Sequence, residues 1–261
     1  MTMKCRHRPG EGQSSDSSGL FAALFTALFT VVTTMAMAWV AAAEAASAEA
    51  AKPLKIGIIG TGNIGGALAE HWAKAGHEVF ISSRHPEKLA ELAKTLGPRA
   101  HVGTPQEAAA FGEVVLISVP YAATAQVGRD YARELKGKVV LDTGNPYPQR
   151  DGDMAVDARR RGTGVTSAEF LPGVRLVRAF NAINSGPLHR KEMRNGERVA
   201  IPLASDDKQA LEIASRLVRD AGFDPVIVGP LSRAKEFDYG TPVYTQLMTA
   251  KELREALKLA E

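Results

Sequence analysis

Short apolar runs alternate with amphipathic segments along the chain from Lys55 onward. An unbroken apolar run is typical of a strand buried on both faces, whereas apolar residues three or four positions apart indicate a helix. The runs predict strands at 55–59, 79–82, 114–119, 139–142 and 175–180. The segments between them predict helices over 64–75, 86–96, 104–111 and 122–135. Because strands that alternate with helices are joined by right-handed crossovers, we expect a parallel sheet with helices on both faces.

The alternation becomes less regular after Asn145. Proline and glycine residues between positions 146 and 166 predict a loop with one short helix. Strands are then expected at 199–203 and 225–228, an amphipathic helix at 206–221, and a terminal helix that begins with a capping box of Thr249 and Glu252. The predicted fold is α/β, with a doubly wound, mainly parallel sheet over 54–180. A small C-terminal α/β lobe over 181–261 would serve substrate binding or oligomerisation.

A glycine-rich loop joins the first predicted strand to the first predicted helix. Its sequence is Gly60-Thr61-Gly62-Asn63-Ile64-Gly65. In this pattern the first glycine permits a tight turn, the second lets a pyrophosphate approach the backbone, and the third lets helix and strand pack closely. The N-terminus of the helix offers free N–H groups and partial positive charge to phosphates. Because a predicted strand precedes the loop and a predicted helix follows it, the pattern indicates a Rossmann-type dinucleotide site.

The end of the second predicted strand bears on the choice between NAD and NADP. NAD enzymes place an acidic residue there to bind the ribose 2′-hydroxyl, whereas NADP enzymes need positive charge for the 2′-phosphate. This chain has Ser83 and Arg84, and its first carboxylate is Glu87. Arg84 can bind a phosphate through paired hydrogen bonds, Ser83 can donate its hydroxyl, and Lys88 can add a charge. We therefore expect NADP(H), although a solvated basic helix start is the alternative for Arg84 and Lys88.

The composition excludes several classes of protein. Hydrophobic residues make up 45% of the chain and charged residues 23%, as in an ordinary folded protein. The net charge is +3 and no long basic run occurs, so nucleic acid is not an expected partner. Cys5 is the one cysteine, which rules out a disulfide within the chain. The histidines lack metal-ligand spacing, so no metal site is predicted.

The first fifty residues have the order of an export signal. Three basic residues between positions 4 and 8 precede an uncharged run from Leu20 to Ala43, and small residues follow at 46–50. We expect a cleaved signal peptide and an exported, periplasmic or extracytoplasmic protein. The run is also long enough to span a bilayer, so an N-terminal membrane anchor remains an alternative. The third alternative is an internal start at Met35 or Met37, which would give a cytoplasmic protein.

Several segments together resemble one known family, the NADPH-dependent coenzyme F-420 reductases. The similar segments are Gly57–Arg84, Lys138–Pro146, Leu176–Asn181, Ala204–Asp207 and Gly222–Leu231. The resemblance therefore extends over nearly all of 55–231. The cytoplasmic domains of membrane ferric reductases and the N-terminal half of pyrroline-5-carboxylate reductase share the same cofactor-domain pattern.

The resemblance implies a role for residues at five places in the chain. Contact with the pyrophosphate is implied for Thr61, Gly62, Asn63 and Ile64, and contact with the 2′-phosphate for Ser83, Arg84 and Lys88. Val119 and Pro120 would lie along the cofactor. Residues near the nicotinamide would be Asn145, Pro146, Phe180 and Asn181. In this family hydride passes directly between two stacked rings, so no acid–base side chain is obligatory.

Three functions remain open from the sequence. The first is an NADP-dependent oxidoreductase that transfers hydride between NADPH and a small-molecule acceptor that resembles a flavin or deazaflavin. The second is a non-catalytic NADPH-binding or redox-sensing module, and the third is an imine reductase like pyrroline-5-carboxylate reductase. The absence of an evident acid–base pair favours direct ring-to-ring transfer. A homodimer is compatible with the sequence, and any membrane contact is expected only through the N-terminal segment.

Overall fold

The computed structural model describes residues 52–259, and an eight-stranded sheet is its central feature. The strands of this sheet are β1 (Lys55–Ile59), β2 (Glu78–Ser82), β3 (Ala100–Gly103), β4 (Val114–Ile117), β5 (Val139–Asp142), β6 (Arg175–Arg178), β9 (Ala200–Ala204) and β10 (Asp224–Gly229); β7 (Met193–Arg194) and β8 (Glu197–Arg198) form a separate hairpin. The spatial order is β10-β9-β6-β5-β4-β1-β2-β3. Neighbouring strands are parallel except β6 and β9, which are antiparallel. The predicted doubly wound, mainly parallel sheet is confirmed.

Eleven α-helices of the described residues connect or flank these strands. They are α1 (Asn63–Lys74), α2 (Ala90–Leu96), α3 (Pro105–Phe111), α4 (Thr124–Asp130), α5 (Ala132–Leu135), α6 (Pro148–Asp151), α7 (Asp153–Arg161), α8 (Thr163–Phe170), α9 (Ser185–Arg190), α10 (Lys208–Asp220) and α11 (Ala250–Ala256). Short 3₁₀ helices lie at Pro86–Leu89, Tyr121–Ala123 and Leu231–Glu236. The predicted capping box of α11 is present, since Glu252 N–H donates to Thr249 Oγ1 and Thr249 N–H to Glu252 Oε2.

Apolar side chains fill the space on both faces of the sheet. On one face Ile58 and Leu116 pack in a cluster that includes residues of α1 and α10, and Trp72 Nε1 of α1 donates to the Leu217 carbonyl oxygen of α10 over 2.8 Å. On the other face Ile59 and Ile117 pack in a cluster with residues of α4. Because successive side chains of a strand point to opposite faces, each central strand contributes to both cores.

Three parts of the predicted secondary structure were wrong. The segment 146–166, predicted as a loop with one short helix, holds α6, α7 and the start of α8, because Gly152 (φ +66°) and Gly162 (φ +98°) separate helices instead of preventing them. The helix predicted over 122–135 is three shorter pieces. Strand β3 was missed because its residues are half-exposed at the sheet edge and form no apolar run.

Strands β9 and β10 belong to the same eight-stranded sheet. Residues 181–259 are therefore joined to the first part of the fold through the pairing of β9 with β6. The predicted signal peptide or anchor over 1–50 lies outside the described residues. Within 52–259 no helix is both long and apolar enough to cross a membrane.

Candidate functional site

Five chain segments meet along the carboxyl edge of the parallel strands. Strands β2, β1, β4, β5 and β6 are consecutive neighbours in the sheet, so the residues that follow them lie side by side. In that order they are Ser83–Lys88, Gly60–Gly65, Val119–Pro120, Asn145–Pro146 and Phe180–Asn181. Open α/β sheets bind ligands at this edge. The structure thus brings the five predicted segments together along one edge of the sheet.

The glycine loop has the steric properties that a pyrophosphate site requires. Gly60 has φ +95°, and a Cβ atom there would lie 2.4 Å from the Ser118 carbonyl oxygen. A Cβ atom on Gly65 would lie 2.2 Å from the Gly60 carbonyl oxygen. A Cβ atom on Gly62, in contrast, would meet no protein atom within 4 Å. The outer two glycines are therefore required by the fold, whereas the middle one leaves open space in front of the first turn of α1, where a pyrophosphate fits.

The side chain of Thr61 ties this loop to the end of β2. Its hydroxyl donates to the Ser82 carbonyl oxygen over 3.0 Å and accepts from the Ser82 N–H over 3.1 Å. The Ser82 hydroxyl in turn donates to the Ile58 carbonyl oxygen over 2.7 Å. These bonds hold the phosphate loop and the specificity segment after β2 at a fixed separation. They also leave Thr61 only its backbone for contact with a phosphate.

The segment after β2 presents two basic side chains without acidic partners. The Ser83 hydroxyl accepts from the His85 N–H over 2.8 Å, which turns the chain. The Glu87 carboxylate lies 3.4 Å from His85 Nδ1. Arg84 and Lys88 are exposed, and neither forms a salt bridge with another of residues 52–259. Without a carboxylate at the end of β2 to receive a ribose 2′-hydroxyl, the segment fits the 2′-phosphate of NADP.

Two asparagines join the ends of β5 and β6. Asn145 Nδ2 donates to the Asn181 carbonyl oxygen over 2.8 Å, and Arg150 Nη2 donates to the Asn145 carbonyl oxygen over 2.8 Å. The Oδ1 atoms of Asn145 and Asn181 are buried and accept no hydrogen bond from residues 52–259. Buried acceptors without a donor are costly unless a ligand satisfies them. They suit the amide N–H groups of a nicotinamide carboxamide.

The side chain of Phe180 points into the core and away from the edge. It is 1% exposed and makes edge contacts with Trp72 and Phe223, at ring-centroid distances of 6.2 and 6.5 Å. Its backbone has φ +58°, a left-handed conformation that is strained for an aromatic residue. The strained turn directs Asn181 to the edge, so Phe180 shapes the site through its backbone.

A buried ion network beneath this edge was not evident in the sequence. Arg178 Nη1 donates to Asp142 Oδ2 over 2.7 Å, and Nη2 to the Gly144 carbonyl oxygen over 2.7 Å. Asp238 is also buried and accepts from the Thr163 N–H over 3.0 Å. Burial acts to lower the pKa of Arg178, but the carboxylates of Asp142 and Asp238 outweigh it and raise the pKa. The sequence feature that could have indicated this network is Arg178, a charged residue at the end of a predicted buried strand.

Three half-buried tyrosines lie beside the paired asparagines. The hydroxyl oxygens of Tyr147 and Tyr244 are 2.7 Å apart, and the Tyr239 ring packs against both, at centroid distances of 4.8 and 5.4 Å. Tyr147 follows Asn145–Pro146 in the chain, and Thr245 N–H donates to the Ala182 carbonyl oxygen, which places the cluster next to both strand ends. Burial, with the Tyr147 hydrogen bond, raises the pKa of Tyr244. This tyrosine cluster is not evident in the sequence, because 97 positions separate two of its members.

Comparisons with known proteins agree with this geometry. The model of the family "NADP oxidoreductase coenzyme F420-dependent" matches residues 55–146. The chain is 30% identical over 217 residues to the F420-dependent NADP reductase of Methanothermobacter marburgensis, with 78% of this chain and 96% of that protein covered. It is 28% identical to metalloreductase STEAP3 of Rattus norvegicus over 70% of this chain, but spans only 36% of that protein. A solved structure of a hypothetical protein from Sinorhizobium meliloti superposes with TM-score 0.66 at 25% identity, over 76% of this chain and 96% of that one.

Proposed function

The chain belongs to the family of coenzyme F420-dependent NADP oxidoreductases, and we propose that it transfers hydride directly between NADPH and a planar ring of the flavin or deazaflavin type. It is an NADP-dependent oxidoreductase, which removes the alternative of a non-catalytic binding module. When bound, NADPH supplies the hydride. The glycine loop, Arg84 and the paired asparagines would hold the pyrophosphate, the 2′-phosphate and the carboxamide respectively.

The observation that carries the proposal is the tyrosine cluster, in which three rings pack against one another beside the paired asparagines. Tyr147 and Tyr244 share a hydrogen bond. The nearby Asp151 carboxylate accepts from Arg150 Nη2 over 2.7 Å and from the Tyr147 N–H over 2.9 Å. Burial acts to raise the Asp151 pKa, but these hydrogen bonds outweigh it and lower the pKa. Asp151 is therefore not a proton donor, and the three aromatic rings favour stacking of a planar ring acceptor.

The residues of the site would position the two reacting rings and exclude water, and they would form no covalent bond with either ring. Direct transfer needs the two reacting carbon atoms held at near-contact distance, which a rigid edge of strand ends provides. The strained turn at Phe180 and the bond between Asn145 and the Asn181 carbonyl oxygen make that edge rigid. The half-buried rings of the tyrosine cluster would cover the acceptor from solvent.

A screen of NADPH oxidation against riboflavin, FMN, a 5-deazaflavin, quinones and ferric complexes tests the proposal. We expect the flavins and deazaflavin to be reduced directly, and ferric complexes to be reduced only when a flavin is also present. Gly62→Val is the control variant without a cofactor site, and Arg133→Gln, exposed at the opposite edge, is the control for unspecific loss of charge. Faster reduction of a quinone or of a ferric complex alone would overturn the proposed acceptor.

A further inference from the structure

A cavity of about 390 Å³ lies beside Tyr239, whose ring centroid is 4.8 Å from that of Tyr147. Residues from α6, α7, the 3₁₀ helix Leu231–Glu236 and the segment after that helix line it, among them Pro148, Arg159, Arg160, Lys235, Tyr239 and Thr241. Pro148 directly follows Tyr147 in the chain. The cavity therefore shares Tyr239 with the tyrosine cluster, against which the proposed acceptor ring would stack.

The basic side chains of the cavity are poorly neutralised by the rest of the protein. The guanidinium of Arg159 lies over the Tyr239 ring, 4.8 Å from its centroid, and Arg160 is paired with Asp157. Neither Arg159 nor Lys235 forms a salt bridge with another of residues 52–259. A cation held over an aromatic face keeps a defined position at low entropic cost. Two unpaired cations therefore project into the same cavity.

The acidic residue of the lining is committed elsewhere. Asp238 accepts hydrogen bonds from the backbone and hydroxyl of Thr163 and lies 3.5 Å from Arg178 Nη2. Its charge is therefore compensated away from the cavity. The Thr241 hydroxyl oxygen is also buried and has no hydrogen-bond partner among residues 52–259. Two free cations and an unpartnered hydroxyl match the donors that a phosphate requires.

We propose that this cavity binds the phosphate-bearing side chain of the hydride acceptor, whose ring packs against the tyrosine cluster. The inference rests on the proposed function, since it assigns the second half of the same acceptor. Arg159 and Lys235 would bind the phosphate, and Tyr239 would serve both halves, as a stacking surface for the ring and as a support for Arg159. The cavity would then select acceptors with an anionic side chain over neutral ones that carry the same ring.

FMN and riboflavin test this directly, because they share one ring system and differ in a phosphate. Binding is measured by flavin fluorescence with the enzyme saturated in NADP⁺, so that the 2′-phosphate and pyrophosphate sites are blocked and no turnover is needed. We expect FMN to bind at least about tenfold more tightly than riboflavin, a difference of about 1.4 kcal/mol. Lys235→Gln and Arg159→Gln should each weaken FMN binding at least fivefold and leave riboflavin binding unchanged, whereas Arg133→Gln should change neither.

The outcomes separate this inference from the proposed function. Equal affinity for FMN and riboflavin, or variants that bind FMN as tightly as the parent protein, would overturn the phosphate site even if hydride transfer to riboflavin occurs. If FMN binds more tightly than riboflavin and the variants abolish this difference, but neither flavin is reduced, the phosphate site is supported and the proposed transfer is refuted. Failure to bind either flavin would overturn the site.

Discussion

Arg178 and Asp142 form an ion pair with both side chains fully buried, in which Arg178 Nη1 lies 2.7 Å from Asp142 Oδ2. The pair joins the ends of β6 and β5 directly beneath the two asparagines of the site. Because Nη2 also donates to the Gly144 carbonyl oxygen, the guanidinium orders the turn that leads to Asn145. The ion pair therefore supports the site without contacting the cofactor.

Removing one member of this pair should destabilise the fold severely. Arg178→Met leaves the Asp142 carboxylate buried without its partner, and we expect a loss of about 3–5 kcal/mol in the free energy of unfolding. The double variant Arg178→Met with Asp142→Leu should recover only part of that loss, because the Asp142 charge is removed while the buried Asp238 carboxylate still lacks the guanidinium. Urea unfolding of the parent protein, of each single variant (Arg178→Met and Asp142→Leu) and of the double variant checks this. A double variant as unstable as the sum of the single changes would show that the two residues are not coupled.

Glycines of the phosphate loop should differ sharply in their tolerance of a side chain. Gly62→Val places its side chain in open space at an ordinary backbone conformation, so we expect stability within about 1 kcal/mol of the parent and loss of NADPH binding. Gly65→Val would place Cβ against the Gly60 carbonyl oxygen and should prevent folding. Circular dichroism and titration calorimetry distinguish the two effects. Retained NADPH affinity in Gly62→Val would place the cofactor elsewhere.

Arg84 should control the choice of cofactor. Replacing its guanidinium in Arg84→Ala should remove at least about 1.4 kcal/mol of preference for NADPH over NADH, which is a tenfold change in the ratio of affinities. NADH affinity itself should hardly change, since NADH has no 2′-phosphate. Arg133→Ala, at an arginine that is 87% exposed near the amino edge, is the matched control. If Arg84→Ala keeps the parent protein's preference for NADPH over NADH, other residues must bind the 2′-phosphate.

His77 should make stability fall in mild acid. Its Nδ1 accepts from the Leu54 N–H over 3.0 Å, and its Nε2 lies 2.9 Å from Asp220 Oδ2. Burial lowers the pKa of His77, and the hydrogen bond to Asp220 only partly opposes this. The unfolded chain therefore binds a proton more readily than the folded one, so the free energy of unfolding should decrease as pH falls below about 6.5.

The measurement for His77 is urea unfolding at pH 7.5 and 5.5. Burial likewise lowers the pKa of His71, so the two histidines act in the same direction. His77→Gln should be less stable than the parent at pH 7.5 but should lose less stability on acidification. Identical losses in the two proteins would exclude His77 as the source of the pH dependence.

The sequence was sufficient for the parts of the fold that local pattern determines. Strands such as Lys55–Ile59 and Val139–Asp142 are buried on both faces, so each appears as a short apolar run with sharp ends. The loop between β1 and α1 was predicted because the position of each glycine in the motif indicates the steric role of that glycine. The parallel order then placed the ends of β2, β1, β4, β5 and β6 along one edge, as the structure shows.

Contacts between distant segments were not predictable from local pattern. Arg178 and Asp238 are 60 positions apart, and nothing near either residue in the sequence indicates its partner. The tyrosine cluster likewise joins a turn after β5 to a segment near the C-terminus. The glycines at 152 and 162 were taken as loop residues, because a glycine that ends one helix and begins the next resembles a glycine within a loop.

Direct hydride transfer between two rings is the central claim, and the transfer of deuterium tests it most directly. NADPH labelled with deuterium on one or the other face of C4 is reacted with a 5-deazaflavin in ordinary water, because hydrogen on C5 of the reduced deazaflavin does not exchange with solvent. The account predicts deuterium at C5 from one of the two labelled cofactors and not from the other. If the reduced deazaflavin carries only hydrogen from solvent at C5, whichever of the two labelled cofactors is used, direct hydride transfer is contradicted.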